Sequence, residues 1–167
     1  VDQTGNVYLI DVGLVREITT NGMIRRVAGG GASTSDGVPA TAASLRPYAL
    51  SVDVHGSLYV TEADTSGLRR SDPSRVRKIT PDGIITTIVA NTVSGYSGDG
   101  GPAGSAQLSG PGPIAVDAEG NLYIADTFNN RIRRVDPTGQ ITTVAGTGEQ
   151  GYDGDDKPAT AARLNFP

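Results

Sequence analysis

VDAEGNLYIADTFNNRIRRV, from Val116 to Val135, is the clearest part of a pattern that recurs three times. It continues as ITTVAGTGEQGYDGDDKPATAARL, from Ile141 to Leu164. The middle repeat has SVDVHGSLYVTE (Ser51–Glu62), RVRKITPDGIITTI (Arg75–Ile88) and GYSGDGGPAGSAQL (Gly95–Leu108). The first has VDQTGNVYLID (Val1–Asp11), VREITTNGMIRRV (Val15–Val27) and SDGVPATAASL (Ser35–Leu45). A unit of this length cannot bury its own apolar faces and must stack on others of its kind.

Each repeat divides into four short strands. Strand A is an apolar run (Tyr48–Val52, Pro113–Val116), which suits burial on both faces. A tight turn follows, with Gly supplying positive φ: VHGS at Val54–Ser57, AEGN at Ala118–Asn121, QTGN at Gln3–Asn6. Strand B is expected at Val7–Ile10, Leu58–Thr61 and Leu122–Ala125, and strand C at Val15–Ile18, Arg75–Ile79 and Arg131–Val135. Strand D is expected at Met23–Ala28, Ile84–Val89 and Ile141–Ala145; its Thr-Thr pairs fit an outer strand with one wet face. The clustered strand C arginines read as long stems lying over neighbouring units with their tips in water.

The most regular segment follows strand D. Asp36, Asp99 and Asp155 each precede a leucine by nine residues (Leu45, Leu108, Leu164), and a proline comes three after each Asp (Pro39, Pro102, Pro158). Small residues fill the gap. This predicts a connector with one helical turn, Pro in its first turn and Asp capping its free N–H groups. The leucine is expected to plug the core between units.

The chain has 167 residues, a net charge of −4, no cysteine and one histidine. Without cysteine there is neither a disulfide framework nor a thiolate metal site. The acidic balance disfavours a nucleic-acid surface. No run approaches the ~18 apolar residues of a membrane-spanning helix.

The Val116–Val135 string resembles the NHL repeat, and the Gly151–Leu164 linker is similar to that of a bacterial subgroup and of the teneurin NHL region. The resemblance implies an all-β, partial β-propeller of about three four-stranded blades, TolB-like and six-bladed when complete. It places blade 1 at residues 1–45, lacking its first strand, blade 2 at 46–108 and blade 3 at 109–167. An extracellular or periplasmic setting goes with it. The chain starts where a strand A ends and stops at the Pro before one, so it reads as a propeller fragment or half a ring. Two half-rings closing on each other are one expected association.

Candidate chemistry is sparse. His55, in the A–B turn, reads as a solvated turn residue rather than a metal ligand or base. Amidating and streptogramin lyases share the propeller type but require histidines that this chain lacks. The acidic loop Asp153–Asp156 invites a calcium reading, yet the other repeats keep only Asp36 and Asp99. Acids recur in register at Asp2, Asp53, Asp117 and at Asp11, Glu62, Asp126. They read as turn or interstrand partners, or as channel-facing ligands of a lactonase-type enzyme. Basic clusters (Arg25 and Arg26; Arg69 and Arg70; Arg75, Arg77 and Lys78; Arg131, Arg133 and Arg134) read as phosphate contacts of an RNA platform or as partners of those acids. The inserted stretch from Ala63 to Ser74, with Thr65, Ser66, Gly67, Leu68, Arg69 and Arg70 at its centre, is the candidate interaction loop. The expected function is a non-catalytic scaffold for a protein or carbohydrate partner, with no cofactor and no metal. A lyase- or lactonase-type enzyme with its site in absent blades and an RNA-binding platform are the alternatives.

Overall fold

The computed structural model describes residues 1–62, 74–91 and 93–167. The first sheet holds β1 (Val7–Asp11), β2 (Leu14–Ile18) and β3 (Ile24–Gly29). A two-residue strand, β4 (Val38–Pro39), lies in the connector. The second sheet runs β5 (Pro47–Val52), β6 (Leu58–Glu62), β7 (Ser74–Ile79) and β8 (Ile84–Asn91). After the connector strand β9 (Gly101–Pro102) come β10 (Pro111–Val116), β11 (Leu122–Asp126), β12 (Arg131–Val135) and β13 (Gln140–Ala145). All pairings are antiparallel: the longer strands of each sheet pair in sequence order, β4 and β9 join β8 and β13, and the sheets do not close into a ring. The architecture is a partial β-propeller. Among the described residues no helix is long and apolar enough to cross a membrane.

Strands B and C keep their expected positions and extend by one residue at some ends. Strand A differs in its environment: β5 is half-buried along most of its length, with Tyr48 exposed. It is the edge strand of its sheet, paired with β6, and lies between β1 of the first sheet and β10 of the third. Strand D also differs. Its outer edge is covered, because β4 pairs with β8 and β9 pairs with β13. The connector leaving one sheet therefore adds a fifth strand to the next.

The core lies between sheets. Between the first and second, Val15, Ala28, Ala40, Ala43 and Leu45 meet Leu58, Val60, Ile79 and Ile85. Between the second and third, the repeat-equivalent Val76, Val89, Ala103, Ala106 and Leu108 meet Leu122, Ile124, Val135 and Ile141. Each core has one half from a sheet plus its connector and one half from the following sheet. Leu45 and Leu108 sit in these cores as plugs; Leu164 is only partly buried.

The connector's turn is a single 3-10 turn in each repeat: Ala40–Ala42, Ala103–Ser105 and Ala159–Ala161. Pro39, Pro102 and Pro158 occupy the N-cap position, and no side chain caps any of these turns. In the first two connectors the Asp carboxylate does not cap its own turn because it is used on the next sheet.

Candidate functional site

Asp36 reaches across to the second sheet. Its carboxylate accepts the Arg77 Nη2 hydrogen bond at 2.9 Å, the Thr87 amide at 3.0 Å and the Thr87 hydroxyl at 2.8 Å. Asp99 repeats this on the third sheet, taking Arg133 Nη2 at 2.7 Å. The backbone seals the same seam: Gly37 and Gly100 donate to the carbonyls of Ile85 and Ile141 at 2.9 and 2.8 Å. Burial works to raise the Asp36 carboxyl, but the Thr87 amide and hydroxyl and the Arg77 charge hold it below the usual range. At Asp99 burial is likewise outweighed, by the Thr143 and Tyr96 hydroxyls and Arg133.

Arg77 and Arg133 are fully buried, so their tips are not in water. The sequence reading of wet tips is corrected: a guanidinium spans two carboxylates, one from its own sheet and one from the preceding connector. Arg77 Nη1 lies 3.5 Å from Glu62, and Arg133 Nη1 lies 3.4 Å from the fully buried Asp126. Burial pushes the Asp126 carboxyl up, against the Ser109 amide, the Asn129 side chain and Arg133. A register shift falls just before this arginine in every sheet, at Val15/Arg16, Val76/Arg77 and Ile132/Arg133. The bulge re-aims the strand at this point. In the third sheet Tyr96 adds a ring, with the Arg131 and Arg133 guanidinium carbons 3.8 and 4.8 Å from its centroid.

The other recurring acids organise the A–B turns. Asp53 accepts the His55 and Ser57 amides at 2.9 and 2.8 Å and the Tyr59 hydroxyl at 3.1 Å. Asp117 holds Asn121 and Tyr123 in the same way, and Asp2 holds Thr4, Asn6 and Tyr8. His55 contributes its amide to this turn and is itself exposed. In the acidic loop, Asp153 pairs with Arg163 at 2.8 Å. Among the described residues no group of three or more His, Cys, Asp or Glu is placed to hold a metal ion. The interaction loop Thr65–Arg70 lies outside the described residues.

At the turn end, a cavity of about 400 Å³ opens between the first two sheets. Tyr8, Glu17 and Arg25 form one wall, and the Pro81–Gly83 turn forms the other. Glu17 is buried and ion-paired to Arg25, and the Tyr8 hydroxyl lies 3.2 Å from Glu17 and 3.1 Å from Asp2. The equivalent cleft between the second and third sheets, beside Tyr59 and Lys78, is about 200 Å³. Sequence reasoning missed this cleft, since its walls come from two repeats.

Residues 92–164 match the family model of the teneurin NHL domain. Teneurin-3 of Mus musculus is 33% identical over 149 residues, spanning 78% of this chain and 5% of that protein. The chain belongs to the NHL-repeat family. Solved structures resembling this NHL chain include an auxiliary nutrient binding protein from Bacteroides thetaiotaomicron, with a TM-score of 0.62, 17% identity and coverage of 99% of this chain and 39% of that one. Virginiamycin B lyase from Staphylococcus aureus has a TM-score of 0.53 and 21% identity, over 86% of this chain and 38% of that one. These likenesses concern the propeller fold. The NHL chain spans about a twentieth of the curated teneurin it matches and under two fifths of these solved propellers.

Proposed function

We propose that this chain is a non-catalytic NHL scaffold, with structural units at 1–45, 46–108 and 109–167, that presents its inter-sheet cleft and loops to a protein or carbohydrate partner. The observation that carries this reading is the use of its buried charges. Arg77 and Arg133 are committed to pairs that tie each sheet to the preceding connector, and Glu62 and Asp126 are held by the same guanidiniums within their own sheets. An acid–base site needs such groups free to exchange protons with a substrate. The cleft beside Tyr8, Glu17 and Arg25 has the tyrosine, carboxylate and guanidinium groups that bind hydroxyl-rich or polar surfaces.

The test is direct binding to a panel of oligosaccharides and extracellular-type protein domains. Saturable binding weakened about tenfold by Arg25→Ala supports the reading. Turnover of a lactone or a streptogramin by the purified chain would replace it with the enzyme reading.

A further inference from the structure

We infer that the cleft between the first and second sheets is a site for an acidic saccharide, a sugar chain carrying a uronate carboxylate, and that Arg25 recognises this group with its two terminal nitrogens. The inference rests on the scaffold reading above and names the ligand class of that same cleft. The groups it uses lie where the first sheet faces the second, beside the core that Tyr8 and Val27 pack against.

One set of cross-strand positions differs between the repeats. Each strand B tyrosine stands opposite a strand C residue, which in turn stands opposite a strand D residue. The second repeat has Tyr59, Lys78 and Thr86 at these positions, and the third has Tyr123, Arg134 and Thr142. The first has Tyr8, Glu17 and Arg25. There the cation has moved out by one strand, and a carboxylate stands in its place. The fold does not require this exchange, because the second sheet packs on the third with lysine and threonine at the same positions.

The exchange builds a held guanidinium. Glu17 is 2% exposed; its carboxylate accepts from Arg25 Nε, and the Tyr8 hydroxyl lies 3.2 Å from its other oxygen. Arg25 Nη1 and Nη2 make no hydrogen bond among the described residues, and the side chain is 67% exposed. A guanidinium fixed through Nε by a buried acid presents its remaining N–H fork in a set direction, and that fork matches the two oxygens of a carboxylate. In the second cleft the cation is a point charge already engaged, with Lys78 Nζ 5.3 Å from the Tyr59 ring centroid.

The opposite wall selects the rest of the ligand. It is the Pro81–Gly83 turn, where the exposed Asp82 carboxylate accepts no hydrogen bond among the described residues. A bare phosphate or sulfate would gain Arg25 but meet Asp82 as a like charge. A neutral sugar would leave the Arg25 fork unpaired. A sugar acid sets its carboxylate on Arg25 and donates its hydroxyls to Asp82, with ring carbons against Tyr8 and Pro81. The cavity of about 400 Å³ has the size of a small-molecule site.

Isothermal titration calorimetry of the 167-residue chain tests this with three probes: digalacturonate, the galactose disaccharide of the same linkage, and an acetylated glutamate tripeptide. The expected result is saturable binding of digalacturonate, about tenfold or more tighter than the neutral sugar. Arg25→Lys, which keeps the charge and removes the fork, should lower that preference about tenfold, with folding unchanged by circular dichroism. Glu17→Gln, which releases Arg25 Nε, should lower it too while leaving affinity for the neutral sugar as it was. Equal affinity for the two sugars overturns the inference and leaves the scaffold reading with a neutral carbohydrate, and a preference that survives Arg25→Lys overturns it as well. Peptide binding as tight as that of digalacturonate overturns it in favour of a protein partner. No binding of any probe also overturns it, whereas the scaffold reading itself falls only to turnover of a lactone or a streptogramin.

Discussion

Arg133 illustrates how much one side chain carries. It is fully buried and holds Asp126 from its own sheet and Asp99 from the connector. Replacing it with methionine leaves a buried carboxylate without its charge partner. Arg133→Met is expected to lower the unfolding free energy by about 3–5 kcal/mol, read from urea denaturation. Gly146 is a second position with little tolerance. Its φ is +93°, and a Cβ there would lie 2.2 Å from the Asn130 carbonyl oxygen, as one at Gly29 would from Gly13. Gly146→Ala is expected to cost more than about 1 kcal/mol by the same measurement, with an equal effect at Gly29. The recurrence of these residues is visible in the sequence, but their burial is not. An arginine on a strand reads as a wet tip until a carboxylate from 34 or 41 residues away is placed against it.

At the scale of elements, the connector is the unit that matters. It contributes a fifth strand, a 3-10 turn, three core residues and one carboxylate. Asp36 and Asp99 have lowered pKa values, so the stability they contribute is present above the unfolded carboxylate range and lost as pH falls through their folded values. Asp126 has the opposite sign: its raised value removes stability as pH rises from the unfolded value to the folded one. The expected result is a fall in melting temperature below about pH 4. Asp36→Asn with Asp99→Asn should flatten that fall, while Asp126→Asn should not. The spacing of Asp, Pro and Leu made the connector legible as one rigid motif. The Asp was expected to cap its own turn because local partners are all that a linear reading can offer. The structure gives that oxygen a stronger, charged partner on the next sheet.

At the scale of the molecule, each sheet is stabilised chiefly by its neighbours. Leu108 is fully buried between the second and third sheets, whereas Leu164, its equivalent, is only partly buried. Leu108→Ala is therefore expected to destabilise the fold by about 2–5 kcal/mol. Leu164→Ala should change the stability of this chain by less than about 1 kcal/mol, read from the same urea denaturation. The same substitution in the same motif then reads out whether a junction is formed. The sequence by itself determined the repeat, the strand order and the turns, because these depend on side-chain periodicity and on glycine at fixed places. Only the tertiary structure decided which carboxylate meets which arginine, that the connector joins the following sheet, and where the cleft opens. Those contacts join residues from different repeats, and their energies come from burial and charge pairing that exist only once one sheet lies against the next.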